Sequence, residues 1–290
     1  MSRRDPLARD RAPGYLVARV TSGILGRLHV EPDFIIVGAA RAGTTGLLNQ
    51  MRSHPGIHFC AREELHFFDV EGRWNQGPGF YRRRFPRRSA KAAAIRAGRG
   101  PALSGENSPY YLAHPDAPVR VRATLPDVRL IALLRDPTER AISHWNWRVN
   151  RQQETRGFEE VVEQELALLG DLPPGDPAYA RVEDDQWARR NRAYLARGIY
   201  LEQLQRWHAV FPRAQLLTLV SERYYADPAT SMGRIWAHLD LPRAPVKEGV
   251  RNARRTKRSL DPLLVERVRA FFRPHNAALE AYLGEPLDWD

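Results

Sequence analysis

A single cysteine, Cys60, stands in the 290 residues, so no intrachain disulfide framework forms and no C-x-x-C metal or redox motif exists. A reducing compartment, the cytoplasm, is the expectation. Uninterrupted apolar runs are missing from the N-terminal MSRRDPLARDRAPGYLVARVTSGILGRLHV, whose charges are scattered throughout. It reads as neither a signal peptide nor a membrane helix, but as a basic arm over 1–30, without stable membrane insertion. Lysine is scarce: of 45 basic residues only Lys91, Lys247 and Lys257 are lysines. Arginine is the better bidentate ligand for phosphate or sulfate, although a bias toward Arg, Ala and Pro accounts for most of these positions equally well. No G-x-S-x-G is present, which removes the hydrolase signature, and there is no internal repeat. Pro55 and Gly56 between His54 and His58 exclude a shared helical metal face.

What is present is ordinary globular material with a strong positive charge. Hydrophobic residues make up 43% and charged residues 27%, which favours one large α/β domain over 31–290. The net charge of +11 and a pI near 10.2 imply attraction to an anion: a nucleotide, an acidic sugar, a nucleic acid or a lipid surface.

The first strong local signal is FIIVGAARAGTTG. The β-branched and aromatic run Phe34–Val37 breaks into a glycine-bounded turn and then into LLNQMRSH, which has helical periodicity. Strand, loop and helix start together describe a phosphate site, because the amides and dipole of a helix N-terminus favour an anion. Gly38 and Gly43 have the G-x-x-x-x-G spacing of ATP and GTP enzymes, yet Thr44 and Thr45 follow where Lys and Ser or Thr are required. Arg41 lies inside the loop, within reach of a bound anion. A glycine turn that binds nothing is the alternative for this spacing alone.

Two further strands are read at VRLIALL, 128–134, an apolar run suited to burial on both faces, and at QLLTLV, 215–220. Helices are read at TERAISHWNWRVN, YLEQLQRWHAVF and 261–283. Alternation of these elements predicts a mostly parallel sheet with helices on both faces. Residues 61–99 read as an irregular, aromatic, cleft-forming stretch followed by a basic helix. The acidic 152–188 stretch, broken by DLPPGDP, reads as a surface insertion or lid. Arg135 falls at a strand end, where parallel sheets bind ligands, and Ser143 lies about two helical turns beyond it. Alone, that pair is equally an ion-paired Arg and a buried Ser.

In combination, these segments resemble the sulfotransferase superfamily. FIIVGAARAGTTGLLNQMRSHP resembles its 5′-phosphosulfate loop, and RDPTERAISHW its 3′-phosphate motif. EELHFFD, GENSPYYL and the tail DPLLVERVRAFFRPHNAALEAYLGEPLDW resemble the branch holding heparan sulfate N- and 3-O-sulfotransferases and bacterial carbohydrate or small-molecule sulfotransferases. The resemblance runs in order from Phe34 to Trp289. It implies a single domain with a P-loop-like central parallel sheet. It also implies the donor 3′-phosphoadenosine 5′-phosphosulfate (PAPS), and transfer of its sulfuryl group to a hydroxyl or, less readily, an amine.

The resemblance further implies residue roles. Arg41 falls where the family usually carries the Lys that contacts the bridging oxygen and leaving phosphate. Ala42, Gly43, Thr44 and Thr45 match the 5′-phosphate cradle, and Arg135 and Ser143 the 3′-phosphate ligands. RNARRTKRS, 251–259, matches a late loop closing over the nucleotide, with Arg255 the best fit and Arg254 and Lys257 beside it. Glu64 in E-L-H-F-F matches the catalytic base, with His66 the competing candidate. Sulfuryl transfer moves less negative charge than phosphoryl transfer, so fixed cations and N–H donors suffice and no metal is expected. Two departures stand out: Glu63 replaces a Lys before the base, and Asn107 replaces the Lys of G-E-K-[ST]-P. Both remove positive charge near the acceptor, favouring a neutral sugar, lipid-linked alcohol or secondary metabolite over a heavily sulfated glycan. Two rivals remain: a P-loop kinase or NTPase, and a nucleic-acid-binding protein using FYRRRFPRRSAKAAAIRAGR. The family reading expects no nucleic-acid partner.

Overall fold

The computed structural model describes residues 26–60, 64–97, 103–170, 172–181, 193–246 and 259–289. Five parallel strands form one sheet in the order β2-β3-β1-β4-β5: β1 is Phe34–Gly38, β2 Ile57–Phe59, β3 Leu103–Asn107, β4 Arg129–Leu134 and β5 Leu216–Val220. β1 is buried at every position and β4 at all but its first, as an apolar strand covered by helices on both faces requires. These two strands and β5 coincide with the three apolar runs of the sequence.

β2 and β3 are additions to that reading. LSGEN in β3 is polar and carries a glycine, so it lacks a strand's usual signature. Its glycine serves packing: a Cβ at Gly105 would collide with the ring of Phe34 on β1. Its polar groups are answered locally, the Ser104 amide by Asp33 at 2.7 Å and the buried Glu106 by three hydroxyls. From β1 the chain passes to β2 beyond β3, returns to β3, and then crosses β1 to reach β4 and β5. Loops after β1, β3 and β4 therefore meet at one carboxyl edge, at the switch in strand order where such sheets bind ligands.

Asp136 and Pro137 start the helix Pro137–Val149, Asp136 accepting the Glu139 amide at 3.0 Å, a cap contributing about 1 kcal/mol. This helix brings Ser143 back over the β1 loop. Its other face joins a second core of Ala141, Trp145, Phe158, Val161, Val162, Tyr194 and Phe272. The 152–188 stretch is thus partly structural: its helix Phe158–Leu169 turns Phe158, Val161, Val162 and Leu169 inward, and the buried Glu165 accepts the amides of Tyr194, Leu195 and Ala196. Residues 171 and 182–188 of that region lie outside the described residues, as does most of the N-terminal arm. Residues 26–30, the end of the arm, dock on the chain near Pro86 and Arg88, with Val30 buried and its amide bonded to the Pro86 carbonyl at 3.0 Å. The 61–99 region holds the short helices Glu71–Trp74 and Pro78–Arg82 before the basic helix Arg88–Arg96. Among the described residues no helix is long and apolar enough to cross a membrane.

Candidate active site

Gly43 caps the helix Thr44–Met51 from the left-handed region, at φ 100°, leaving the first-turn amides directed at the loop. A Cβ at this position would lie 2.6 Å from the Tyr225 hydroxyl. Gly43→Ala is therefore expected to lower stability by about 1–3 kcal/mol, measured by urea unfolding, from backbone strain together with that clash. The loop is pinned from two sides. Ser221, immediately after β5, donates to the Ala42 carbonyl at 2.7 Å, and Arg135 Nη1 donates to the Arg41 carbonyl at 3.3 Å.

Arg41, also left-handed at φ 73°, extends its guanidinium to Ser143, donating from Nε at 3.3 Å and Nη2 at 3.2 Å. Arg135 is held by Glu139 at 3.2 Å, while Tyr200 bonds the Arg135 carbonyl at 2.8 Å. Two motifs 102 positions apart in sequence thus meet in a single cationic corner. His144, next to Ser143, is driven well below its ordinary pKa by burial and then by Arg197, Arg140, Arg41 and Arg148, so it is neutral there. Arg41 and Arg135 together suit a ligand carrying more than one anionic group.

The carboxyl end of β3 supplies the other wall. Asn107 pairs with Ile36 of β1, and its carbonyl accepts the Glu64 amide at 3.1 Å. His66 stands between two carboxylates, with Nδ1 2.8 Å from Asp69 Oδ2 and Nε2 3.0 Å from Glu64 Oε2. Asp69 is fully buried, whereas the Glu64 side chain is 51% exposed. An imidazolium donates to both carboxylates, and a neutral ring donates to one and accepts from the other only where that other carboxyl carries a proton. Glu64 is the member of the trio that faces solvent.

Arg41, Ala42, Gly43, Thr44, Thr45, Arg135 and Ser143 thus gather on one edge, with Glu64 and His66 in an irregular segment tethered to the end of β3. Arg254, Arg255 and Lys257 lie outside the described residues, as does Glu63. The sequence alone does not single out Asp69, Ser221 or Tyr225. Asp69 has a signal in its spacing three residues after His66, and Ser221 in its place directly after an apolar strand. The aromatic cleft takes a different form: Phe67, Phe68, Tyr81, Phe85 and Trp145 are core, packed ring on ring. Trp147 is half-exposed, its ring centroid 5.7 Å from the Arg41 guanidinium. Among the described residues there is no grouping of three His, Cys, Asp or Glu side chains able to hold a metal.

Comparison with known proteins bears on family and fold. The family model described as "Sulfotransferase domain" matches residues 31–263. Heparan sulfate glucosamine 3-O-sulfotransferase 3A1 of Homo sapiens is 28% identical over 306 aligned positions, which span 96% of this chain and 68% of that protein. Heparan sulfate glucosamine 3-O-sulfotransferase 6 of Mus musculus is also 28% identical, across 97% of this chain and 79% of its own length. A crystal structure of a sulfotransferase from Alicyclobacillus acidocaldarius superposes with a TM-score of 0.64 at 28% identity, covering 89% of this chain and 98% of that one.

Proposed function

Because the chain belongs to the sulfotransferase family, whose members draw their sulfuryl group from PAPS, we propose that it transfers this group to a carbohydrate hydroxyl by in-line displacement with Glu64 as general base. One observation carries the reading: Arg41 of the β1 loop and Ser143 of the β4 helix are in hydrogen-bond contact beside Arg135. A donor with phosphates at both ends of one nucleoside needs two anion sites joined in this way.

In this proposal Gly43, Thr44 and Thr45 hold the 5′-phosphate with helix-start amides and hydroxyls, while Arg135 and Ser143 hold the 3′-phosphate. Arg254, Arg255 and Lys257, matched by sequence, add positive charge for the nucleotide. As the acceptor oxygen bonds to sulfur, its proton passes to Glu64. The S–O bond to the leaving phosphate breaks, the phosphate keeps the electron pair, and Arg41 neutralises the developing charge. Glu64 is favoured over His66 because it is half exposed, whereas both ring nitrogens of His66 are engaged by carboxylates.

The carbohydrate acceptor is supported by relatives named for heparan sulfate glucosamine. Glu63 and Asn107 in place of lysines favour a hydroxyl-rich sugar over a heavily sulfated one. Asn107 Oδ1 is buried without a protein partner, a lone pair suited to a hydroxyl donor rather than a sulfate. With Cys60 a buried free thiol, we read the compartment as cytoplasmic.

The test is thermal. 3′-Phosphoadenosine 5′-phosphate (PAP) at one hundred times its Kd is expected to stabilise the protein by about 2.7 kcal/mol, a Tm rise of several degrees, while ATP at the same concentration leaves Tm unchanged. Stabilisation by MgATP and not by PAP would instead favour a kinase.

A further inference from the structure

Glu106 lies in β3 with no exposed surface, and it touches neither the cationic corner nor the open side of Glu64. Three hydroxyls donate to it: Tyr81 to Oε2 at 2.5 Å, and Ser108 and Tyr111 to Oε1 at 2.7 Å each. Burial raises its pKa and the three donors oppose that rise.

Two of these donors are also acceptors from the segment that carries Glu64 and His66. Ser108 Oγ accepts the His66 amide at 3.2 Å, and Tyr111 Oη accepts the Phe67 amide at 2.8 Å. A hydroxyl has one hydrogen, so accepting an amide while directing that hydrogen to Glu106 sets the sense of both chains. Glu64 and His66 need such restraint, because their φ angles of 55° and 48° lie in the left-handed region that side-chain-bearing residues resist. Asn107, next in sequence, receives the Glu64 amide and adds a third tether from the same strand.

We propose that Glu106 is a positioning residue for proton removal: through Ser108 and Tyr111 its carboxyl group holds the Glu64–His66 segment in the orientation that presents Glu64 to the acceptor. This rests on the reading of Glu64 as base. Glu106→Gln keeps the shape but replaces one acceptor oxygen with an NH2 group, so at least one of the three hydroxyls loses its acceptor. Ser108→Ala removes both halves of one path, the donation to Glu106 and the link to the His66 amide, and leaves the Tyr111 path in place.

Turnover is read as PAP release from PAPS, with unsulfated heparosan as acceptor and with water alone, and PAP affinity by thermal shift. Glu106→Gln and Ser108→Ala are each expected to lower kcat by about 10–100-fold with PAP affinity held within about twofold, and Ser108→Thr to restore most of the loss. Added to Glu64→Gln, Glu106→Gln is expected to lower kcat by less than about twofold more, because both changes act through one group. Multiplying losses, a parallel fall in PAP affinity, or wild-type kcat in either single variant would overturn the proposal. Should Glu106→Gln not fold, Ser108→Ala alone and combined with Glu64→Gln decides the question. Failure of PAP to bind the unaltered protein would instead sink the sulfotransferase reading of the site.

Discussion

Arg41→Ala is expected to slow sulfuryl transfer by about 10²–10³-fold while weakening PAP binding by no more than about tenfold. The asymmetry follows from when the charge appears. Negative charge on the leaving phosphate grows as the S–O bond breaks, so a cation at that oxygen is worth more in the transition state than in the bound donor. Arg135 is the control. It is anchored by Glu139 and by the Arg41 carbonyl, away from the proposed transfer point, so Arg135→Ala is expected to raise the Kd for PAP with the smaller effect on kcat. Single-turnover rates and PAP titrations of both variants check the assignment. The opposite pattern would mean that the two ends of the donor are exchanged. Arg41 stands where lysine is usual, and its fork geometry is in use: Nε and Nη2 both donate to one hydroxyl, an arrangement a lysine ammonium cannot reproduce.

Glu64→Gln is expected to reduce kcat by about 10²–10⁴-fold with little change in PAP affinity, because the amide keeps the shape of the carboxylate but accepts no proton. The Glu64–His66–Asp69 arrangement gives this substitution a second effect. The new amide would offer His66 Nε2 either an oxygen or an NH2 group, replacing the charged partner with a neutral one while Asp69 still holds Nδ1. Steady-state kinetics with PAPS and unsulfated heparosan, alongside PAP thermal shifts, separate loss of the base from loss of the donor site. Near-wild-type turnover would transfer the role of base to His66.

The chain is unevenly legible. Strands β1, β4 and β5 announce themselves because each is covered on both faces and must be apolar. β3 is hidden for the opposite reason: LSGEN is polar where it serves Glu64 and His66, and Gly105 is demanded by the Phe34 ring rather than by any local pattern. The tail helix Pro262–Leu283 is legible from its periodicity despite the internal Pro274. The aromatic run 67–85 is ambiguous in sequence, since core and ligand platform draw on the same residues. Packing resolves it in favour of core, leaving Trp147 beside the site.

By itself the sequence determined the order of β1, β4, β5 and the longer helices between and after them, the glycine spacing of Gly38–Thr45, and the absence of a Walker lysine, because these depend on neighbours along the chain. Only the tertiary structure decided that Arg41 meets Ser143, that Asp69 and Glu64 share His66, and that Glu106 stands behind that trio. Such contacts join residues carried to one sheet edge by crossover connections, and no local periodicity or propensity encodes which side chains a crossover brings together.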